Sequence, residues 1–394
     1  VLVTDCTASY EEYVARAVEL GQNVISSVEH GFQGNYYVPY ELVEKHNAEL
    51  EKRLDEGLIT EAEFNKKKLK FVFGAEAYWV KDRLAERPKV NKKTGQIILN
   101  EFVKDRANCH IILLAKNEEG RRDINEVLSI ANVDGFYGQP RIDIELLLKI
   151  KPENVMVTTA CLKYWVYDDI EDITETLHKH FGENFFLEVQ YHNTDAQKKL
   201  NQRILKLSEQ LSIPLIFGYD SHYIYESQTE ERNNYLEARG IVYDEDERGW
   251  YMDYPSEEIV RARLREQGVL NERQIDECIK NTDILLTFDD IVLDKNIKLP
   301  RNYLFDGEWT GNKSQEWRDQ TLRNLVYNKW DSIKNTVSES RYPEYIEGIE
   351  YELNAIIETK MSDYFLIDYQ IVKMELKMVG LSQKPEEEVE YLII

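Results

Sequence analysis

Asp220 and His222 stand two residues apart, directly behind the apolar run 214–218. Side chains at i and i+2 on extended backbone leave the same face. A carboxylate and an imidazole aimed at one point form a mixed oxygen and nitrogen donor pair suited to zinc or manganese. Other donor-type residues stand at or beside the ends of further β-prone runs. Asp5 lies near the start, His30 behind 23–28, Glu76 behind 69–74 and Cys161 behind 154–160. His110 differs, because it opens its run, 110–114, and a strand-end rule does not bring it to the others. The chemistry that suits such a set is phosphoester hydrolysis. Closely spaced divalent ions need bridging carboxylates and several imidazoles, and they lower the pKa of a water and offset phosphoryl charge. No serine nucleophile elbow and no cysteine in a basic helix-terminal setting offers a competing nucleophile.

Each residue also has an ordinary structural role open to it. A strand-end Asp or Glu can cap a helix or face solvent. Cys161 can be a small buried hydrophobe, and His110 a satisfied core histidine. His46, His178 and His180 read as exposed helical positions, and His192, among polar loop residues, stays open. The joint pattern, rather than any member, points to a metal site.

The elements that must position these residues alternate. Ser9-Tyr10-Glu11-Glu12 is a capping box that opens a helix with Val14, Ala17 and Val18 on one face, and Gly21 closes it. A strand at 23–28 follows. Residues 41–68 read as charged helix broken at Gly57, with a second cap at Thr60-x-x-Glu63. Strands are expected at 69–74, 110–114, 154–160, 184–190 and 214–218. Helices are expected at 118–131, 143–150, 171–181 and 194–211, the last with Leu200, Ile204, Leu207 and Leu211 at helical spacing. Residues 83–106 read as a polar hairpin or loop. This alternation predicts an α/β domain with a largely parallel sheet. No Gly-rich phosphate loop follows the first strand, so a closed or nearly closed barrel fits better than an open doubly wound sheet. Residues 251–281 and 314–379 read as mostly helical, with a domain boundary near Thr287.

Length and composition bound the function. The 394 residues suffice for two or three domains. Lys and Arg total 49 against 73 Asp and Glu, a formal charge of −24. Such a surface repels a phosphate backbone unless local cations reverse the field. No run of about eighteen apolar residues predicts a membrane span, and no secretory signal opens the chain. The four cysteines show no paired spacing, so a reducing cytoplasm is the expected setting.

Taken in order, the motifs resemble a known family. Val28-Glu29-His30-Gly31, Gly74-Ala75-Glu76-Ala77-Tyr78, His110-Ile111-Ile112-Leu113-Leu114, Pro140-Arg141-Ile142-Asp143, Ala160-Cys161-Leu162, Phe186-Leu187-Glu188-Val189-Gln190 and Asp220-Ser221-His222-Tyr223 follow the order of the PHP domain (polymerase and histidinol phosphatase) of bacterial C-family replicative polymerases, the DNA polymerase III α subunits. Tyr351-Glu352-Leu353 followed by Tyr364-Phe365-Leu366-Ile367 resembles the start of the polymerase palm. The resemblance implies a distorted (β/α)7 barrel over 1–286, a mostly helical connector over 287–340 and the beginning of a palm over 341–394. It implies up to three divalent ions (Zn, Mn or Fe) on Asp5, His30, Glu76, His110, Cys161, Asp220 and His222. It also implies a 3′–5′ exonuclease or related phosphoesterase activity, with DNA held through polymerase domains outside the chain and with sliding clamp and other replisome subunits as partners.

The chain departs from the family pattern in three places. The family's H-x-H pair precedes the position of Asp5, before the first residue here. Val28-Glu29 replaces the usual Thr-Asp ahead of His30. Leu381-Ser382-Gln383-Lys384-Pro385 stands where a Gly-rich nucleotide loop is expected, and no paired palm aspartates follow, so polymerisation is not expected of these residues. Two other readings share the site: a barrel of purely structural role, and a free-standing small-molecule phosphatase of the same type.

Overall fold

The computed structural model describes residues 6–91, 93–105, 109–241, 250–296 and 304–378. The chain divides into two compact units, Val1–Val292 and Leu293–Ile394.

Local signals start the first unit. Ser9 accepts from the Glu12 amide while the Glu12 carboxylate accepts from the Ser9 N–H, and this reciprocal cap opens α1 (Tyr10–Glu19). Val14 and Ala17 are buried on its inner face, but Val18 is exposed, so the apolar stripe is narrower than the spacing suggested. β1 (Val24–Ser27), α2 (Tyr37–Asp55) and α3 (Glu61–Lys67) follow, the last capped by Thr60 and Glu63. Then come β2 (Lys70–Val80), an exposed hairpin of β3 (Arg87–Val90) and β4 (Ile97–Val103), β5 (Cys109–Ala115) and α4 (Glu118–Val133). β6 (Arg141–Asp143), α5 (Ile144–Leu147), β7 (Val155–Thr158), α6 (Ile170–Phe181), β8 (Phe185–Val189), α7 (Asp195–Leu211) and β9 (Leu215–Phe217) complete the alternation. α8 (Thr229–Ala238), α9 (Glu257–Gln267) and α10 (Glu272–Lys280) close the unit. Neither β6 nor α8 was expected: three residues carry no periodicity, and α8 has no apolar face to announce it.

Seven strands form one sheet in the order β1-β2-β5-β7-β8-β9, with β6 pairing parallel at the far end of β2. The sheet is largely parallel, as expected, with β5 the exception. β5 runs antiparallel to both its neighbours, β2 and β7. Among the described residues the chain between β2 and β5 makes only the β3–β4 hairpin, with no helical crossover to bring it back parallel.

The sheet curls into a half barrel. Val72, Leu114, Met156, Phe186 and Ile216, from five successive strands, pack into one cluster, and Val24 of β1 touches the same cluster. Val24–Ser27 of β1 and Ile216 and Phe217 of β9 line one cavity, so the first and last strands face a common interior. Residues 284–288 plug one end of it with Phe288, Ile284 and Leu285. Lys70, at the start of β2, donates its ammonium to the Leu286 carbonyl at 3.0 Å, and the Asp289 amide donates to the Lys116 carbonyl at 2.8 Å. The donor residues lie toward the other end.

At that other end β6 is held by buried charge. Arg83 donates Nη1 to both oxygens of Asp143, at 2.8 and 2.7 Å, and Asp143 also caps α5. Arg141, fully buried, donates to the carbonyls of Gly135, Asp105 and Arg83.

The second unit has β10 (Leu304–Phe305), β11 (Glu308–Trp309), α11 (Gln315–Ile333), α12 (Tyr342–Glu358) and α13 (Ser362–Met378). Phe305, Leu322, Leu353 and Leu366 form its core, beside a buried Arg318–Asp363 ion pair at 2.5 Å. Among the described residues no helix is long and apolar enough to cross a membrane.

Candidate metal centre

Three strands bring three donors together. Beyond β1 the chain stays beside β2, with the Glu76 amide donating to the Glu29 carbonyl at 3.0 Å and the Gly31 amide to the Glu76 carbonyl at 2.7 Å. That ladder sets His30 next to Glu76. Gly31 then turns at φ +74°, where a Cβ would fall 2.8 Å from Pro140 and 2.9 Å from Tyr78, so no larger residue fits behind the histidine. β2 does not stop at Gly74 as the apolar run suggested, but continues to Val80, so Glu76 lies inside a strand and not at its end. β5 places His110 opposite Tyr78, two residues along the same inward face.

Glu76 is the centre of this group, at 5% exposure. Its carboxylate pairs with Nδ1 of His30 and, through Oε1 at 2.9 Å, with Nδ1 of His110. One ligand atom from each of the three residues lies within 4.8 Å of the others. Burial alone would raise the Glu76 pKa. The charge and hydrogen bond of His110, and then those of His30, outweigh burial and hold the carboxyl well below the usual range. Tyr78 packs against both rings, with centroids 5.9 Å from His30 and 5.2 Å from His110.

The other expected donors divide. Cys161, after β7, sets Sγ 3.6 Å from His110 Nδ1. Burial first, then the charges of Glu76 and Asp220, push its thiol well above the ordinary value, so it is no thiolate nucleophile in this state. Asp220 and His222 line the same cavity as His30 and Glu76 but stand outside the close triad. The geometry expected for them is corrected as well. β9 ends at Phe217, and irregular backbone carries the pair, with the His222 amide donating to the Met252 carbonyl at 2.8 Å. Their side chains still approach, Asp220 Oδ1 to His222 Nδ1 at 3.5 Å. Asp5 lies outside the described residues.

The remaining histidines have structural partners. His46 and His180 are half-buried rather than exposed, and contact the carbonyls of Lys67 and Ile150 through Nε2. His178 is half-buried too, beside Phe185. His192 is fully buried, accepts from the Tyr251 amide at 3.1 Å and stacks on Trp250. Burial, followed by Arg263 and His222, lowers its pKa to about 3, so it is neutral.

Sequence reasoning quoted one buried carboxylate of the cavity, Glu188 on β8, only within a family-like run and not as a donor. Its signal was a lone carboxylate inside the buried run Phe185-Phe186-Leu187-Glu188-Val189.

The cavity encloses about 820 Å³, and among the described residues seven carboxylates line it but no Lys or Arg. A phosphate ester could not approach such walls without cations to offset them. Two imidazole nitrogens, a buried carboxylate and an adjacent sulfur form a donor set compatible with zinc, manganese or iron. The residues present therefore fit a divalent ion.

Residues 2–192 match the family described as PHP domain. The chain is 27% identical over 327 residues to the DNA polymerase III subunit alpha of Borreliella burgdorferi, covering 79% of this chain and 26% of that protein. It is 25% identical over 394 residues to the subunit of the same name from Aquifex aeolicus, covering 92% of this chain and 29% of the relative. With the subunit of Chlamydia pneumoniae it shares 23% identity, covering 94% of this chain and 31% of that protein. The chain thus spans less than a third of the length of these relatives.

Proposed function

We propose that this chain, whose residues 2–192 match the PHP domain and which resembles DNA polymerase III subunits alpha along most of its length, is the N-terminal part of such a replicative DNA polymerase, with a metal-dependent phosphoesterase site in its half barrel. The observation that carries this reading is the His30–Glu76–His110 triad, centred on the buried Glu76, at a cavity walled by carboxylates. In this reading the sheet belongs to a distorted (β/α)7 barrel, 287–340 are a connector and 341–394 begin a palm. DNA is held by polymerase domains outside this chain, the sliding clamp and other replisome subunits are its partners, and the cytoplasm is its compartment.

His30, Glu76 and His110 would hold the ion, with Cys161, Asp220, His222 and Asp5 as the wider donor set. A divalent ion there supplies Lewis acidity, polarising a phosphoryl oxygen and easing ionisation of water. The chain's own residues do the rest. Glu76 fixes both imidazoles through their Nδ1 atoms, so neither ring can rotate away from the cavity. Tyr78 buttresses both rings from one side. The acidic lining favours entry of a cation before an anionic ester. The reaction assigned is removal of nucleotides from a 3′ DNA end.

The test is metal content by elemental analysis, together with release of label from 3′-labelled single-stranded DNA in Mn²⁺ or Zn²⁺. Metal uptake with label release supports the reading. Metal uptake without turnover assigns the domain a structural role, and turnover of a small phosphomonoester alone points to a phosphatase. A chain that takes up no metal overturns the site.

A further inference from the structure

One buried carboxylate of the cavity was not among the expected donors, although it lies in the family-like run Phe186-Leu187-Glu188-Val189-Gln190. Glu188, on β8, is 5% exposed and lines the cavity with His30, Glu76, Asp220 and His222. Its place is shaped by both neighbouring strands. Thr158 of β7 donates its hydroxyl to Oε2 at 2.7 Å, and Gln190 donates its amide to Oε1 at 2.9 Å. On the β9 side stands Gly218, where a Cβ would fall 2.2 Å from Glu188 Cδ and Oε1. The absence of a side chain at 218 is what leaves room for the carboxylate.

Register ties this carboxylate to the triad. Ile112 is paired with Glu76 on one side and with Thr158 on the other, so Thr158 lies on the same row of the sheet as Glu76. The Thr158 hydroxyl then links that row to Glu188.

Both hydrogen-bond donors to Glu188 are neutral, and no Lys, Arg or His pairs with it among the described residues. A buried carboxylate without a cation is unfavourable unless it stays protonated. Burial first, and then the charges of Glu76 and Asp220 against the pull of its two donors, push its pKa up to about 7. A divalent ion is the one counter-charge that the cavity's composition calls for.

We propose that Glu188 is a positioning residue for that ion, adding a fixed negative charge beside the His30–Glu76–His110 triad and strengthening metal binding. This inference rests on the metal-binding reading given above. Its test is calorimetric titration of the chelator-stripped full chain with Mn²⁺, comparing the unsubstituted chain with E188Q, which keeps the volume and removes the charge. The Kd for Mn²⁺ should weaken roughly 10–100-fold, the range for residues that support metal ligands. The metal-free melting temperature should be unchanged or higher, since a buried charge is gone. E188D, which keeps the charge but withdraws it by one methylene, should fall between the two. Should E188Q fail to fold, E188D alone carries the test, and affinity equal to that of the unsubstituted chain overturns the proposal. E188Q that binds Mn²⁺ as tightly as the unsubstituted chain overturns this inference alone. An unsubstituted chain that binds no metal overturns the function and this inference together.

Discussion

Glu76 Oε1 lies 2.9 Å from His110 Nδ1, although the ladder pairs Glu76 with Ile112 and His110 with Tyr78. The contact is diagonal across an antiparallel pair, a separation that long side chains bridge. Because β5 runs against β2, the head of β5 lies beside the later half of β2. A histidine that opens its strand thereby faces a carboxylate well along another. The same carboxylate reaches His30 on the parallel side, so one glutamate stands between imidazoles from both of its neighbours.

Glu76→Gln keeps the volume and removes the charge. Affinity for Mn²⁺ or Zn²⁺ should fall by at least roughly 100-fold, more than for residues that only support a ligand. Release of 3′ label should drop to background. Titration calorimetry with the chelator-stripped chain measures the first, and full affinity in E76Q would remove the triad from the site.

Glu188 predicts a pH dependence of stability in the metal-free chain. Its folded pKa of about 7 stands above the ordinary 4.5, so the folded state binds more protons than the unfolded state between those values. Stability therefore falls as pH rises through that window and levels off above it, by roughly 3 kcal/mol at most. Thermal unfolding in chelator from pH 4.5 to 8 should show a steeper decline for the unsubstituted chain than for E188Q. Groups common to both chains cancel in the difference, and parallel curves would be the contrary result.

Two glycine-to-alanine changes should act in opposite directions. At Gly218 a Cβ overlaps the held Glu188 carboxylate, and overpacking of this kind costs about 1–3 kcal/mol. At Gly348, in α12, nothing lies within 4 Å, and alanine should stabilise the helix by about 0.5–1 kcal/mol. Urea unfolding of each variant reads both signs.

Asp143→Asn breaks the buried pair that holds β6 against β2. It leaves the Arg83 guanidinium with only the exposed Glu145 carboxylate, 3.7 Å away, at a cost of about 3–5 kcal/mol. The metal affinity of the folded fraction should change by less than about threefold, because the pair stabilises the sheet edge and touches no donor. Denaturation midpoint and Mn²⁺ Kd, measured on one preparation, separate the two effects.

The sequence by itself determined what depends on neighbouring residues. The caps at Ser9 and Thr60, the strands read at 154–160 and 214–218 (155–158 and 215–217 in the fold) and the stripe of α7 follow from spacing and side-chain chemistry. His30, Glu76 and Cys161 were legible as candidate donors for the same reason, and His110 only through the family resemblance. Only the tertiary structure decided how they meet. Strand direction is set by connections and register, and no local pattern states that β5 runs antiparallel. His110 therefore looked misplaced in the sequence and lies at the centre in the fold. Asp220 and His222 looked central, and the irregular backbone after β9 sets them outside the close triad. Glu188 stood in the sequence only as part of a family-like run and not as a donor, because its charge state depends on burial by residues thirty positions away in either direction: Thr158 on one strand and Gly218 beyond another. Desolvation and convergence are properties of packing, and a linear pattern carries neither.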